Sequence, residues 1–195
     1  MLLHHQFIEN AKKNPNAIAV FDQTSGQEIS YKRLLLISFI MAEKIKTYKG
    51  KNIGIMLPPS TGCMVAMLAT LFAGKTPVMI NFSTGARLNS LYAQKKCNFR
   101  TILTSKKLME KIQEEPVSGM VFLEDVMKTI NIIEKAKAAM ITAFPAMVLK
   151  TLVAGGTEDD NLVILFTSGS EKDPKAVQLT HKNILSNIEQ PLYWW

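Results

Sequence analysis

Nine residues of the sequence, 167–175, combine the chemical groups that bind phosphate. Thr167, Ser168 and Ser170 carry hydroxyls that can donate hydrogen bonds to phosphate oxygens. Gly169 lets the main chain approach an anion closely, and Lys175 adds a mobile positive charge suited to the β- and γ-phosphates of a nucleotide. The sequence therefore predicts a phosphate-binding loop at 167–175.

The segments on either side of this loop indicate how it is presented. The apolar run 161–166 predicts a buried strand before the loop, and a second apolar stretch follows Lys175. A Walker A sequence, GxxxxGK[ST], does not occur, which argues against a P-loop ATPase or kinase. An ordinary polar loop with a helix-capping serine is the simpler alternative. The longer pattern TSGS-x-x-x-PK-x-V behind an apolar strand favours phosphate binding.

The elements that must position this loop alternate between short apolar strands and helices. Strands are predicted at 17–22, 27–30, 52–57, 76–80, 101–104 and 120–123. Helices are predicted at 2–13, from Ser30 to about Ile45, from Ser60 to Gly74, at 86–96, from Ser105 to about Glu114, and after 123. Apolar strands separated by helices indicate a parallel sheet covered on both faces. The predicted fold class is therefore α/β, with a mainly parallel sheet and helices on both faces.

The pattern divides the chain into three parts. Residues 1–135 form an N-terminal α/β subdomain, and 136–160 form a linker or amphipathic connector. Residues 161–195 contain the phosphate-binding strand–loop–strand and begin the next subdomain. The apolar stretch 138–149 predicts either a helix that packs against the sheet or an amphipathic helix that touches a membrane.

Composition excludes several classes of protein. A hydrophobic content of 47% argues against low-complexity disorder, and the first residues lack the basic start of a signal peptide. Cys63 and Cys97 have neither CxxC spacing nor a histidine partner, so no metal site is predicted. The run 52–74 has no charge, but two prolines and two internal glycines favour strand–turn–helix over a membrane span.

The formal net charge of +7 is unevenly distributed along the chain. Residues 44–109 contain no Asp or Glu. They contain eleven basic residues: Lys44, Lys46, Lys49, Lys51, Lys75, Arg87, Lys95, Lys96, Arg100, Lys106 and Lys107. This stretch is either a set of solvated helix faces or a docking surface for an acidic carrier protein or anionic lipid. Nucleic acid is not predicted as a partner, because aromatic residues are not interleaved with the basic ones.

Several segments together resemble the adenylate-forming (AMP-binding) superfamily, which includes acyl-CoA synthetases, peptide-synthetase adenylation domains and fatty acyl-AMP ligases. The segment 165–184 resembles the superfamily's phosphate-binding motif. Three upstream segments resemble its "TY-x-x-L", "V-A-I-x-L-P" and "L-A-x-x-x-A-G" patterns: 29–34, 53–58 and 68–74. A narrower resemblance, carried by 77–85, 101–105 and the pair Ser170-Glu171, is to the acyl-carrier-protein synthetase / 2-acylglycerophosphoethanolamine acyltransferase group.

The resemblance implies a reaction and its participants. A fatty acid carboxylate attacks the α-phosphate of ATP, giving acyl-AMP and pyrophosphate, and a thiol of acyl carrier protein or CoA then takes the acyl group. By this resemblance, Thr167, Ser168, Gly169, Ser170 and Lys175 hold the triphosphate. Mg²⁺ is implied as a cofactor, with its usual glutamate ligand beyond this chain. A lysophospholipid acceptor and a cytoplasmic location, peripheral to the inner membrane, are further expectations.

Three positions qualify the resemblance. Lys172 and Ala176 stand where the superfamily usually has glycine, which predicts either altered or impaired phosphate binding. His181 follows the motif at the start of a helix, and we interpret it as a capping or packing residue rather than a catalytic base.

The resemblance also implies segments that do not fit after Val177: an acyl and adenine pocket, a ribose-binding aspartate and a C-terminal domain with a catalytic lysine. We therefore expect the 195 residues to be an N-terminal portion that does not catalyse adenylation alone. The catalytic residues would lie beyond Trp195. The alternative is a non-catalytic binding module of the same fold.

Overall fold

A computed structural model describes residues 1–22, 26–167 and 174–189. Within these ranges the helices are α1 (Leu3–Lys13), α2 (Tyr31–Lys46), α3 (Thr61–Phe72), α4 (Ala86–Lys96), α5 (Lys106–Ile112), α6 (Leu123–Lys128), α7 (Ile132–Ala143), α8 (Ala146–Leu152) and α9 (His181–Glu189). The strands are β1 (Ile18–Asp22), β2 (Gln27–Ser30), β3 (Asn52–Ile55), β4 (Thr76–Met79), β5 (Ile102–Thr104), β6 (Met120–Phe122), β7 (Asn161–Phe166) and β8 (Ala176–Thr180).

The central sheet has the strand order β6-β5-β3-β4-β7-β8. Strands β3 to β7 run parallel, and β8 returns antiparallel to β7. The carboxyl ends of the parallel strands share one edge of the sheet, which we call the carboxyl edge, and their starts share the amino edge. Strands β1 and β2, both predicted from the sequence, pair antiparallel apart from this sheet. The predicted mainly parallel α/β fold is confirmed.

Alternate residues of each strand pack against opposite layers of helices. Ile53 and Ile55 of β3 lie in one hydrophobic cluster with residues of α1, α2 and α3. Met56, which follows β3 directly, and Ile102 of β5 lie in another cluster with residues of α4 and α5. This alternation follows from the two-residue period of a strand. Both faces of the sheet are therefore covered, as the sequence predicts.

Local capping signals fix the starts of three helices. Side chains of Ser30, Ser60 and Ser105 accept hydrogen bonds from backbone N–H groups in the first turns of α2, α3 and α5. Gly74 has a φ of +74° and its N–H donates to the Leu71 carbonyl at 3.0 Å, closing the last turn of α3. These four residues act at the positions that their types predict.

The region 136–160 contains helical structure rather than a simple linker. Helices α7 and α8 occupy most of it, and Asn131 and Glu134 form a capping box at the start of α7. Ala138 of α7 and Leu149 of α8 are buried in the hydrophobic cluster that contains residues of α2 and α3, so both helices pack against the core. Strand β7 hydrogen-bonds to β4 in the same sheet. The three-part division at 135 and 160 stays a prediction. Among the described residues, no helix is long and apolar enough to span a membrane.

Candidate functional site

The ends of the predicted phosphate loop lie together at the carboxyl edge. The Thr167 N–H donates to the Lys175 carbonyl at 3.0 Å, and the Lys175 N–H donates to Thr167 Oγ1 at 3.3 Å. These bonds extend the β7–β8 ladder by one pair, so the loop leaves and re-enters the sheet at a closed neck. The other predicted phosphate ligands, Ser168, Gly169 and Ser170, lie outside the described residues, as does Lys172.

Tyr92 of α4 holds the returning side of this loop. Its phenolic O–H donates to the Pro174 carbonyl at 2.9 Å. Its ring also packs edge-on against the ring of Phe166, with centroids 5.9 Å apart. The residue before Lys175 and the last residue of β7 are thus fixed by one side chain. Sequence reasoning missed Tyr92, because no local pattern indicates a partner 82 positions away.

The loop lies at the same edge of the sheet as the point where the strand order reverses. From β3 the chain moves to β4 on one side and then to β5 on the other. In open α/β sheets, ligands bind outside the carboxyl ends of strands at such a switch point. Strand β7 adjoins β4 directly, through the pair Val78 and Ile164. Strands β4 and β3 therefore lie between Thr167 and the crevice, which opens between β3 and β5.

A second loop, after β4, contributes polar groups to the same edge. Asn81 Oδ1 accepts hydrogen bonds from the Ser83 N–H at 2.9 Å and the Ser83 hydroxyl at 2.7 Å. Asn89 of α4 donates to the carbonyls of Asn81 and Thr84. On the next strand, the Thr104 hydroxyl donates to the Met56 carbonyl at 2.9 Å. The bonds of Asn81 and Asn89 hold the polar turn at 81–84 after β4, and the Thr104 bond joins the end of β5 to the residue that follows β3.

The described groups at this edge fit an anion better than a metal ion. Thr167 supplies a hydroxyl and Lys175 an ammonium, and both groups can donate hydrogen bonds to phosphate oxygens. No cluster of three or more His, Cys, Asp or Glu side chains with metal-binding geometry occurs in the described part of the chain. Cys63 and Cys97 are free, and burial raises the pKa of both thiols, so they are poor nucleophiles.

His181 lies at the opposite edge of the sheet from the loop. It begins α9 after β8, whose last residue, Thr180, pairs with Asn161 at the start of β7. Its side chain is 3% exposed, and its Nδ1 accepts a hydrogen bond from the Leu3 N–H at 3.0 Å. Burial lowers the pKa of His181. These contacts support the predicted packing role.

Comparison with known proteins shows one family over nearly the whole chain. The sequence profile of the family described as "AMP-binding enzyme" matches residues 7–194. The hybrid PKS-NRPS synthetase poxE of Penicillium oxalicum is 28% identical over 192 residues, which are 96% of this chain and 4% of that protein. The 4-coumarate–CoA ligase 1 of Petroselinum crispum is 24% identical over 195 residues, 96% of this chain and 34% of that protein.

Solved structures share the fold at lower identity. The o-succinylbenzoate CoA synthetase MenE of Bacillus subtilis, solved with its acyl-adenylate intermediate, superposes with a TM-score of 0.68 at 19% identity. The superposed region is 96% of this chain and 45% of the MenE chain. The fatty acid AMP ligase of Legionella pneumophila superposes with a TM-score of 0.70 at 17% identity, over 95% of this chain and 31% of its own. The chain thus spans less than half of each of these relatives.

Proposed function

Because the chain belongs to the AMP-binding enzyme family, we propose that it is the N-terminal portion of an ATP-dependent ligase that activates a fatty acid. The carboxylate displaces pyrophosphate at the α-phosphate of ATP, and the acyl group of the resulting acyl-AMP then passes to a thiol of acyl carrier protein or CoA. The observation that carries this proposal is the closed neck of the 167–175 loop at the carboxyl edge, in a chain that matches the family from residue 7 to 194.

The residues of this chain would act by positioning and electrostatics. The ammonium of Lys175 and the hydroxyl of Thr167 would neutralise and orient the phosphates, together with Ser168, Gly169 and Ser170 of the undescribed segment. Fixed donors at a developing charge lower the barrier because they need no reorganisation during reaction. Mg²⁺, which would further neutralise the triphosphate, is a proposed cofactor whose protein ligand lies outside the matched loop.

The proposals for the subgroup, the acyl acceptor and the location of the protein rest on the sequence resemblance alone. We propose the acyl-carrier-protein synthetase / 2-acylglycerophosphoethanolamine acyltransferase group because of segments 77–85 and 101–105. The former segment forms β4 and the hydrogen-bonded turn at 81–84. A lysophospholipid acceptor and a cytoplasmic location with peripheral contact at the inner membrane stay predictions of the same kind.

Nucleotide titration of the ¹⁵N-labelled chain tests the phosphate site directly. We expect ATP to shift the amide resonances of Thr167 and Lys175, and Lys175→Gln to weaken ATP binding by about tenfold, since a bond to a charged group contributes roughly 1.5–3 kcal/mol. Lys135→Gln, an exposed change on α7, is the matched control and should leave the affinity unchanged. Saturating ATP that moves neither resonance would contradict the proposal.

The second candidate is a non-catalytic binding module of the same fold, favoured by the basic stretch 44–109. It predicts binding of an acidic partner without any response of Thr167 or Lys175 to nucleotide. The same titration therefore separates the two candidates.

A further inference from the structure

The eleven basic residues of the stretch 44–109 fall into groups that differ in their contacts and in their positions in the fold. Four are engaged with other groups of the chain: three form ion pairs and one binds carbonyls. The ion pairs are Lys44–Glu134, Lys46–Glu43 and Lys106–Asp125, each 2.6 Å long. Lys75 Nζ donates to the carbonyls of Tyr48 and Gly50 at 2.8 and 2.6 Å. Seven basic side chains remain.

The topology places five of these seven at the amino edge of the sheet. Arg87 and Lys107 lie in the first turns of α4 and α5 and so belong to the carboxyl edge. The other five either precede a parallel strand or end the helix that leads to one. They are Lys49, Lys51, Lys95, Lys96 and Arg100, all exposed, and we call them the basic edge.

Hydrogen bonds between neighbouring segments give the basic edge a fixed framework. Asn52 Nδ2 donates to the Cys97 carbonyl at 2.8 Å, joining the start of β3 to the end of α4. The Thr76 N–H donates to the Lys51 carbonyl at 2.8 Å, and Gln94 Nε2 donates to the Arg100 carbonyl at 2.7 Å. The backbones that carry these cations are therefore held in place before any partner arrives.

The stability of the fold accounts for only some of the positive charges of the basic edge. Lys95 and Lys96 lie in the last turn of α4, where cations favour the helix dipole. Lys49, Lys51 and Arg100 lie outside helices and gain nothing from it. Lys51 shares a cavity wall with Asp160. Within residues 1–22, 26–167 and 174–189, no ion pair involves any of the five side chains.

The basic edge is separate from the proposed nucleotide site. The two lie at opposite ends of the parallel strands, and a strand of five residues spans roughly 16 Å. The lysines of the basic edge therefore do not face phosphates held by the 167–175 loop. A partner bound at the amino edge would leave the carboxyl edge open.

We propose that the basic edge docks the acidic surface of an acyl carrier protein, a partner that rests on the proposed function. Leu91, one turn before Lys95 on α4, is exposed, but none of the large exposed apolar side chains of the described residues lies within 44–51, 74–77 or 94–101. The surface therefore lacks the continuous apolar face that holds helices in a bilayer interface. Tyr48, the aromatic residue beside Lys49, is half-buried and offers no open stacking platform for a base. Carboxylates of a protein fit such a surface, and docking raises the local concentration of the carrier.

Charge reversal with a matched control tests this docking. Fluorescently labelled holo-acyl carrier protein is titrated with the chain and with the variant Lys95→Glu, Lys96→Glu, Arg100→Glu. The control variant Lys128→Glu, Lys135→Glu, Lys137→Glu changes three exposed residues of α6 and α7, with the same change in net charge. We expect the dissociation constant to rise by about tenfold or more for the first variant and to stay within about twofold for the control. Added salt should weaken wild-type binding.

The opposite results are equally specific. Absence of saturable binding, or equal weakening in both variants, would overturn the docking site. So would binding of the chain to phosphatidylglycerol vesicles that the first variant loses while the carrier does not bind, because the partner would then be a lipid surface. Carrier binding should not change when ATP is present, and failure of nucleotide binding alone would overturn the proposed function but not the docking.

Discussion

At the scale of single residues, Tyr92 is the side chain that connects the candidate loop to the helix layer. Replacing it with phenylalanine keeps the ring beside Phe166 and removes only the hydrogen bond to the Pro174 carbonyl. The free energy of unfolding should fall by about 1 kcal/mol, the usual net value of one such bond. ATP binding by the proposed site should weaken, because the returning side of the loop loses its support.

Urea denaturation and ATP titration of Tyr92→Phe measure both effects. Tyr31→Phe is the control, since the Tyr31 ring packs against Phe7 on α1, away from the loop. Equal stabilities and equal ATP affinities for the two variants would show that Tyr92 does not position the loop.

Residue roles could be predicted where the signal is local. The helices predicted to begin at Ser30, Ser60 and Ser105 do begin there, with these serines as caps, because a cap involves residues three positions apart. Tyr92 and Pro174 are far apart in sequence, and only the folded sheet brings them together. The roles of Thr167 and Lys175 in phosphate binding stay a prediction, although the structure places both at the neck of one loop.

At the scale of elements, the packing of β3 against the α4–α5 layer requires a glycine. A Cβ on Gly54 would lie 2.7 Å from Cε2 of buried Phe99 and 3.0 Å from side-chain atoms of Ile102 and Ile80. Gly54→Ala should therefore lower the free energy of unfolding by about 1–3 kcal/mol through overpacking.

A second glycine provides the control for that substitution. A Cβ on Gly62, in the first turn of α3, would meet Leu123 Cδ1 at an ordinary 3.5 Å. Gly62→Ala should be neutral or raise the free energy of unfolding by about 0.5–1 kcal/mol. Chemical denaturation of both variants gives the comparison, and a stable Gly54→Ala protein would show that the sheet accepts a side chain at that position.

The docking of α1 depends on a cluster of the chain's three histidines. The rings of His4 and His5 are 4.7 Å apart, those of His4 and His181 are 5.4 Å apart, and His4 Nε2 lies 2.9 Å from the Ala154 carbonyl oxygen. Burial, with smaller contributions from the other two histidines, lowers the pKa of His4 to about 4. The fold therefore holds this ring neutral.

Acid should weaken the fold through His4 before the carboxylates are protonated. In the unfolded chain His4 titrates near 6.5, so its neutral-state stabilisation is complete above that pH and is lost as the pH falls towards about 4. Near pH 5 the loss should be about 2 kcal/mol relative to pH 7.5. Denaturation curves at both pH values should show a smaller loss for His4→Gln. The same pH dependence in the variant would contradict this assignment.

The sequence predicts the helices and strands better than it predicts the contacts between them. The parallel strands and α1 to α5 follow from periodicity and capping, since each signal lies within one element. The weak pattern of 136–160 conceals α7 and α8, because much of their surface is exposed and the buried positions are few, such as Ala138 and Leu149. His4 and His5 show no site pattern in the sequence, because their partner His181 lies near the other end of the chain.

At the scale of the whole molecule, the parallel sheet separates two kinds of chemistry. The candidate phosphate loop lies at the carboxyl edge, and the basic edge lies where the same strands begin. The sequence shows that residues 44–109 have no acids, but ion pairs to Glu134 and Asp125 engage some of the cations from outside that stretch. Only the strand order shows which cations share an edge.

The 195 residues should bind nucleotide without completing adenylation. The chain corresponds to 34% of 4-coumarate–CoA ligase 1 and to 31% of the Legionella fatty acid AMP ligase chain. Holding two reactants in line provides effective molarities of about 10⁵–10⁸ M, and this gain requires walls on both sides of the phosphates. The loop supplies one wall, while the ribose aspartate and the catalytic lysine implied by the resemblance lie outside the matched segments.

A pyrophosphate-release assay on the purified chain, with ATP, Mg²⁺ and a fatty acid, measures this expectation. The signal should equal that of the Lys175→Ala variant, even in a sample whose ATP binding has been established by titration. Pyrophosphate release that requires the fatty acid and disappears in Lys175→Ala would show that the chain assembles a complete site by itself. The acyl and adenine pockets would then have to lie among these 195 residues, beside the ends of β3, β4 and β7.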